Sequence, residues 1–312
     1  MTTGGPHLGI DIGGTSIKGA LLDGEREVWT GRSGEYARPG RGELVEAMAG
    51  LIAASPVGRG EVVVRSVGVC APGKRDAAGV IVRAVNVPGL EGVAVGELVR
   101  EVGWGKWEVG SVVREFTDAY AAAVDFWRVR PGVGRLLALS MGTGIGACVL
   151  DECAGREPAA LIVSGGGPGH IGQMDVGEFE EEVSSGKKAS RHEASRHEGG
   201  TTLEAYMGLP ALRARYGEGL AGVIAAGEMG VDGPPLGALV RALRIAHAIY
   251  TPERVVLLGG VGIRMGALVE GIRAAVGDGL TSLARPGWTL EVGESDFHAA
   301  RGAAWLAGRA RG

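Results

Sequence analysis

Two glycine turns, Asp11-Ile-Gly-Gly-Thr15 and Gly142-Thr-Gly-Ile-Gly146, each fall between a pair of short apolar runs. In such a turn Gly13, Gly14, Gly142 and Gly144 carry no side chain, so backbone N–H groups and the hydroxyls of Thr15 and Thr143 can approach phosphate oxygens. Asp11 is of the right chemistry to hold Mg2+ through water. A single turn of this kind reads equally well as an ordinary hairpin, and its recurrence is what favours anion binding. Gly142-x-Gly144 is not a dinucleotide fingerprint, because a strand rather than a helix is expected after it. A third turn, Gly259-Gly-Val-Gly262, follows a buried-type strand, where a nucleoside could lie against the bare backbone of Gly259 and Gly260.

Four further positions carry chemistry with a structural alternative beside each. Asp118 stands just before an expected helix, as an N-cap or as a carboxylate accepting a hydroxyl proton in phosphoryl transfer. Thr201-x-x-Glu204 reads as a capping box opening a helix over 203–207, which would occupy Glu204. Asn86 precedes Val-Pro-Gly and could simply begin a turn. His170, between Gly165-Gly-Gly-Pro-Gly169 and Gly172, lies on a stretch too glycine-rich for core, which leaves a ligand contact open. A tandem copy, Ala189-Ser-Arg-His-Glu then Ala194-Ser-Arg-His-Glu198, lies in a polar insert over 175–202 and reads as an exposed, tolerant segment. The five-residue spacing of His192 and His197 puts them on different faces of a helix, which argues against a metal site.

The elements that must position these residues show an internal echo. Leu8–Asp23 and Leu137–Asp151 are each strand, Gly/Thr turn, strand, which suggests a duplicated α/β domain with a ligand cleft between the copies. A strand near 27–30, a helix over 44–54, a strand over 62–70 and a helix over 118–128 complete the first half; the turn-rich 130–134 divides domains at 1–130 and 131–312. The second half reads as helix 239–250, strand 254–258, helix 265–276 and a last helix, 298–309, free to pack back on the first domain. The 312 residues are ample for two cores, and 58 glycines against a usual share of about 7% call for tight turns or close backbone approach to a ligand. With a net charge of −4 and no basic run, nucleic acid is a poor partner. Three cysteines, Cys70 and Cys148 among apolar neighbours, fit a reducing, cytoplasmic setting, and no apolar stretch is long enough to span a bilayer.

In order along the chain, Asp11-Ile-Gly-Gly-Thr-Ser-Ile-Lys18-Gly, Ala71-Pro-Gly, Asn86-Val-Pro-Gly, Thr117-Asp-Ala-Tyr, Met141-Gly-Thr-Gly-Ile-Gly, Gly169-His-Ile-Gly-Gln-Met, Thr202-Leu-Glu-Ala-Tyr and Leu258-Gly-Gly-Val-Gly resemble the ROK family of sugar kinases and repressors on the actin-like ATPase fold. The resemblance implies that the turns with Asp11, Lys18 and Thr143 cradle the phosphates of Mg2+-ATP, that Gly259 and Gly260 border the nucleoside, and that Asp118 is the base. It places Asn86, Thr117, His170 and Glu204 at the sugar, and implies a homodimer. The chain departs from the family in writing Thr117 and Tyr120 for two asparagines, His170-Ile-Gly-Gln173 for Glu-x-Gly-His, and the 175–202 insert for the cysteine-rich zinc loop. No structural zinc is therefore expected, and glucose is an uncertain acceptor. Polyphosphate is an alternative donor, though no lysine cluster favours it. Two other readings are a protein of this fold that senses sugar or nucleotide without turnover and a repressor, the latter disfavoured by a first motif that begins at Leu8.

Overall fold

The computed structural model describes residues 5–103, 112–152, 159–163, 170–179, 200–283 and 287–309. Cys153, the glycine run 165–169 and the duplicated copies at 189–198 lie outside the described residues. The described residues divide into two units, one running to Gly132, taking in Ile162 and Val163 and resuming at Ser295, the other spanning Val133–Leu161 and His170–Glu294.

In the first unit, β1 (Pro6–Ile12), β2 (Ile17–Asp23) and β3 (Arg26–Arg32) form an antiparallel meander. Then come α1 (Arg41–Ala54), β4 (Ser66–Cys70), the small hairpin β5 (Lys74–Arg75) and β6 (Ile81–Arg83), α2 (Val95–Val102), β7 (Val112–Phe116) and α3 (Asp118–Val129). The sheet order is β3-β2-β1-β4-β7, with β4 parallel to β1 and β7 parallel to β4. The strand expected over 62–70 is thus shorter, pairing only from Ser66. From His7 onward every residue of β1 is buried, which is why it reads as a continuous apolar run around Asp11 rather than an alternating one. One face meets Leu44, Met48 and Leu51 of α1 within a single apolar core.

The second unit repeats this order. β8 (Gly134–Met141), β9 (Ile145–Glu152) and β10 (Ala159–Val163) are followed by α4 (Leu203–Met207), α5 (Leu209–Tyr216), α6 (Leu220–Ala225), α7 (Pro234–Tyr250), β11 (Arg254–Leu258), α8 (Gly259–Gly262), α9 (Val269–Asp278) and β12 (Thr289–Val292). The sheet order is β10-β9-β8-β11-β12, with β8 antiparallel to β9 and parallel to β11. The two hairpins therefore occupy equivalent places in two sheets of one topology, as the sequence echo leads one to expect. Two details differ from the reading above: α7 begins at Pro234, because proline suits a first helical turn, and the last helix before β12 starts at Val269 after a 3-10 turn.

The final helix, α10 (His298–Arg309), belongs to the first unit and packs on β1, β4 and α3. Part of the glycine excess is explained here. A Cβ on Gly9 would lie 1.8 Å from the Ala300 carbonyl oxygen, and one on Gly302 would lie 1.8 Å from that of Ala121. These glycines let α10 approach the sheet and α3 backbone to backbone, so the close approach they serve is internal packing and not a ligand. The contact is pinned by Asp125, fully buried, whose carboxylate takes His298 Nδ1 at 2.7 Å and Arg128 Nη2 at 2.8 Å. Among the described residues no helix is long and apolar enough to cross a membrane. Cys70 and Cys148 are free and buried.

Candidate functional site

The first turn is built between β1 and β2. Gly13 N–H donates to the Ser16 carbonyl at 3.1 Å, Tyr36 N–H donates to the Thr15 carbonyl at 2.9 Å, and the Tyr36 hydroxyl donates to the Gly13 carbonyl at 2.8 Å. Tyr36, twenty-one residues beyond Thr15, thus braces both arms of the turn, a role no local spacing announces. At the end of β1, Asp11 is buried, and Lys18 Nζ lies 3.8 Å from Asp11 Oδ2 and 2.8 Å from Asp296 Oδ1. Asp296 also pairs with Arg32 through its other oxygen. It stands two residues before α10 and 278 positions from Lys18, so the sequence reading missed it.

Burial pushes the Asp11 carboxyl up to about 6; Lys18 opposes the shift, while Asp118 and Asp296 add to it. Asp118 is therefore close enough to share one electrostatic field with the turn. Burial also raises the Asp118 carboxyl above its ordinary range, against the pull of the N–H groups of Ala119 and of Asp118 itself, and of Lys18 and Arg75. Asp118 is not the helix N-cap. Thr117 is, its Oγ1 accepting the Tyr120 N–H at 3.3 Å, which leaves the carboxylate of Asp118 in the first turn of α3 and not consumed as a cap. Asn86 sits in a turn before Pro88, half-buried, with no hydrogen-bond partner for its amide among the described residues.

A testable consequence follows for Asp11. Because the folded chain holds this proton more tightly than the unfolded chain, whose carboxyl keeps its ordinary 3.8, the neutral form contributes stability that is complete below that value and is lost as pH rises through about 6. Asp11→Asn should therefore be more stable than the parent above pH 6, by at most about 3 kcal/mol, and equal to it below about pH 4. Urea denaturation at the two pH values checks this; equal stabilities at the higher pH would contradict it. A buried carboxylate that destabilises its own fold suits a divalent cation. Among the described residues no cluster of three or more His, Cys, Asp or Glu could enclose a metal, but Mg2+ commonly takes one or two carboxylates and completes its shell with water and phosphate.

In the second unit, the turn between β8 and β9 is closed by Gly142 N–H to the Gly144 carbonyl at 2.9 Å, and Leu209 N–H at the start of α5 donates to the Gly142 carbonyl at 2.9 Å. Gly142 has a backbone conformation open to any residue, and a Cβ there would meet nothing within 4 Å. Among the described residues nothing requires a glycine at 142. Gly259 is different: its φ is +76° and a Cβ would lie 2.5 Å from the Met141 carbonyl oxygen. It is required by the join of β11 to α8, a single helical turn where an open glycine turn was expected.

Glu204 is also free of the capping role the sequence suggested. Thr202, not Thr201, caps α4, accepting the Ala205 N–H at 3.3 Å, and Glu204 Oε2 instead accepts the Ile145 N–H at 3.1 Å just past the second turn. Burial raises its carboxyl, while the Ile145 N–H, the Gln173 side chain and His170 draw it down. His170 is exposed at the start of the turn carrying Gln173. The structure thus groups Asp11, Lys18 and Asp118 in one unit and Gly142, Thr143, His170, Glu204 and Gly259 in the other.

A sequence model of the ROK family matches residues 7–220. Among solved structures, a ROK family glucokinase from Streptomyces griseus, in complex with glucose and AMPPNP, is 21% identical with a TM-score of 0.69, covering 97% of this chain and 99% of that one. A ROK hexokinase from Thermus thermophilus is 23% identical, TM-score 0.60, covering 97% of each chain. A ROK family transcriptional regulator, a homolog of the E. coli MLC protein, is 17% identical, TM-score 0.69, covering 98% of this chain and 79% of that one. A search of curated protein sequences finds no significant match. The duplicated α/β sheets are those of the actin-like ATPase fold, and the chain belongs to the ROK family.

Proposed function

We propose that the protein is an ATP- and Mg2+-dependent kinase that phosphorylates a hydroxyl of a hexose-like or amino-sugar substrate in the cytoplasm, as a homo-oligomer. The observation that carries this reading is the Asp118 carboxylate. It is recessed, left out of the helix cap, raised by burial above its ordinary range, and in the field of the Asp11 turn. In this reading Asp118 takes the proton of the attacking sugar hydroxyl, while Asn86, Thr117, His170 and Glu204 orient the sugar. The turns at 11–15 and 142–144 each offer backbone N–H groups to ATP phosphates, with Lys18 supplying positive charge and Gly259 and Gly260 bordering the nucleoside. Mg2+, near Asp11 through water, supplies neutralisation of phosphate charge. The solved glucokinase relative holding glucose and AMPPNP supports this pairing of ligands.

Binding without turnover is a second reading. It is favoured by the use of the Thr117 hydroxyl as a cap and of Gln173 as a partner of Glu204, which leaves fewer groups free for sugar. ADP release with ATP, Mg2+ and a panel of hexoses, N-acetylhexosamines, pentoses and polyols separates the two. The kinase reading expects sugar-dependent release from at least one class; silence across the panel, with calorimetry showing that ATP and a sugar bind, would move the assignment to sensing.

A further inference from the structure

Beside the Asp118 helix start, but not lined by Asp118, lies a cavity of about 580 Å³ in the first unit. Its walls include Arg75 of the β5–β6 hairpin, Ala94 before α2, Glu115 and Phe116 at the end of β7, and Thr117 and Tyr120 of α3. The volume is that of a site for a molecule of appreciable size rather than of a packing defect. Besides Arg75, Glu115 and the Thr117 hydroxyl its walls are apolar or aromatic, with Phe116 and Tyr120 ring centres 6.5 Å apart, a surface suited to the carbon face of a sugar.

The charged donor of this cavity is Arg75, whose positive charge also draws down the Asp118 carboxyl. Its side chain is only 13% exposed and carries five N–H donors. Against that, it has one long hydrogen bond, Nη2 to the Ala71 carbonyl at 3.5 Å, and one long ion pair, Nε to Glu115 Oε2 at 3.5 Å. Nε itself is buried without a hydrogen bond. Glu115 does not close the shortfall, because its other oxygen is spent on the Gly96 N–H at 2.7 Å. A guanidinium with so few internal hydrogen bonds keeps N–H donors to offer a molecule in the cavity. Its planar fork is matched best by a group presenting two coplanar oxygens, which is a carboxylate.

Resting on the kinase reading above, we propose that this cavity extends the acceptor site beyond Thr117, and that the sugar phosphorylated carries a carboxylate, as in a uronic or aldonic acid, held bidentately by Arg75 with its carboxylate-bearing end against Phe116 and Tyr120. A neutral hexose offers the guanidinium no second carboxylate and is the poorer acceptor.

The test compares matched pairs that differ only in oxidation at the terminal carbon, glucose with glucuronate and galactose with galacturonate, with gluconate and glucose 6-phosphate added. ADP release and calorimetric binding are measured for the parent, Arg75→Gln and Arg75→Lys. The acids should exceed their neutral partners in kcat/KM by about tenfold or more, and Arg75→Gln should lower the value for acids at least about tenfold more than that for neutral sugars, whose smaller change reports the loss of Arg75's pull on Asp118. Arg75→Lys keeps the charge without the fork; it should fall between the two, and it carries the test if Arg75→Gln does not fold. Neutral sugars turned over in preference to acids, or an equal loss on both in the variants, would overturn the subsite and leave the kinase reading intact. A preference for glucose 6-phosphate would overturn the carboxylate assignment. Acids that bind the parent but not Arg75→Gln, with no ADP released from any sugar, would uphold the subsite and overturn the kinase reading.

Discussion

Asp118→Asn should lower kcat by about 10²–10⁴ while leaving the affinity for Mg2+-ATP within about threefold. Asparagine has the shape of aspartate, and its amide oxygen can still accept the N–H groups of Asp118 and Ala119 at the start of α3, so the helix and the Thr117 cap should survive. What is lost is the lone pair that takes the sugar proton. Two further readouts separate a base from a merely structural group. Since burial raises the Asp118 carboxyl, the parent's kcat/KM should climb with pH as that carboxyl ionises, and the residual activity of the variant should lack this limb. Since Asp118 is also one of the charges that raise Asp11, its removal should bring the Asp11 carboxyl down from about 6, detectable by NMR titration. Retention of most of the activity with the same pH profile would remove Asp118 from the chemistry.

The second large effect is expected at Lys18. Its ammonium is the main positive charge opposing the rise of Asp11, and it is anchored at 2.8 Å by Asp296. Lys18→Met strands the Asp11 carboxylate, and leaves Asp296 with Arg32 alone, beside a turn that in this account receives a polyanion. Weakening of Mg2+-ATP by about 10–100-fold follows if one charge-assisted contact to phosphate is lost, with kcat less affected than KM. Lys18→Arg should recover part of the affinity. Asp296→Asn should reproduce a smaller share of the loss, because Asp296 acts through the position of Lys18 and Arg32 and touches no ligand in this account. Calorimetry with a non-hydrolysable ATP analogue measures all three variants, and unchanged affinity in Lys18→Met would detach the first turn from ATP.

Much of this arrangement was legible in the chain because it is local. The two strand–turn–strand echoes at 8–23 and 137–151 announce their hairpins through apolar runs and glycine punctuation, and they occupy equivalent places in two sheets of identical order. Cap assignments were off by one residue at both α3 and α4, since Thr117 and Asp118, like Thr201 and Thr202, are adjacent residues that can each accept a backbone N–H. The sequence pattern offers no way to choose between such neighbours. Contacts across long separations were invisible. Asp296 reaching Lys18, Tyr36 bracing Gly13 and Glu204 meeting the Ile145 N–H depend on how elements pack, and composition cannot report that. The glycine excess was read as tight turns or close approach to a ligand, whereas at Gly9 and Gly302 the approaching group is another segment of the chain.

The central claim, transfer of a phosphoryl group from ATP to a sugar hydroxyl with Asp118 as base, is tested most directly by phosphorus NMR of the reaction itself. The protein is incubated with ATP, Mg2+ and the sugar panel, beside the Asp118→Asn variant. This account predicts a new phosphomonoester resonance that grows in step with ADP, requires one class of sugar, and forms at least about a hundredfold more slowly in the variant. No phosphomonoester from any sugar, with ATP binding demonstrated in the same sample, would contradict it, as would a product that forms at the parent rate without Asp118.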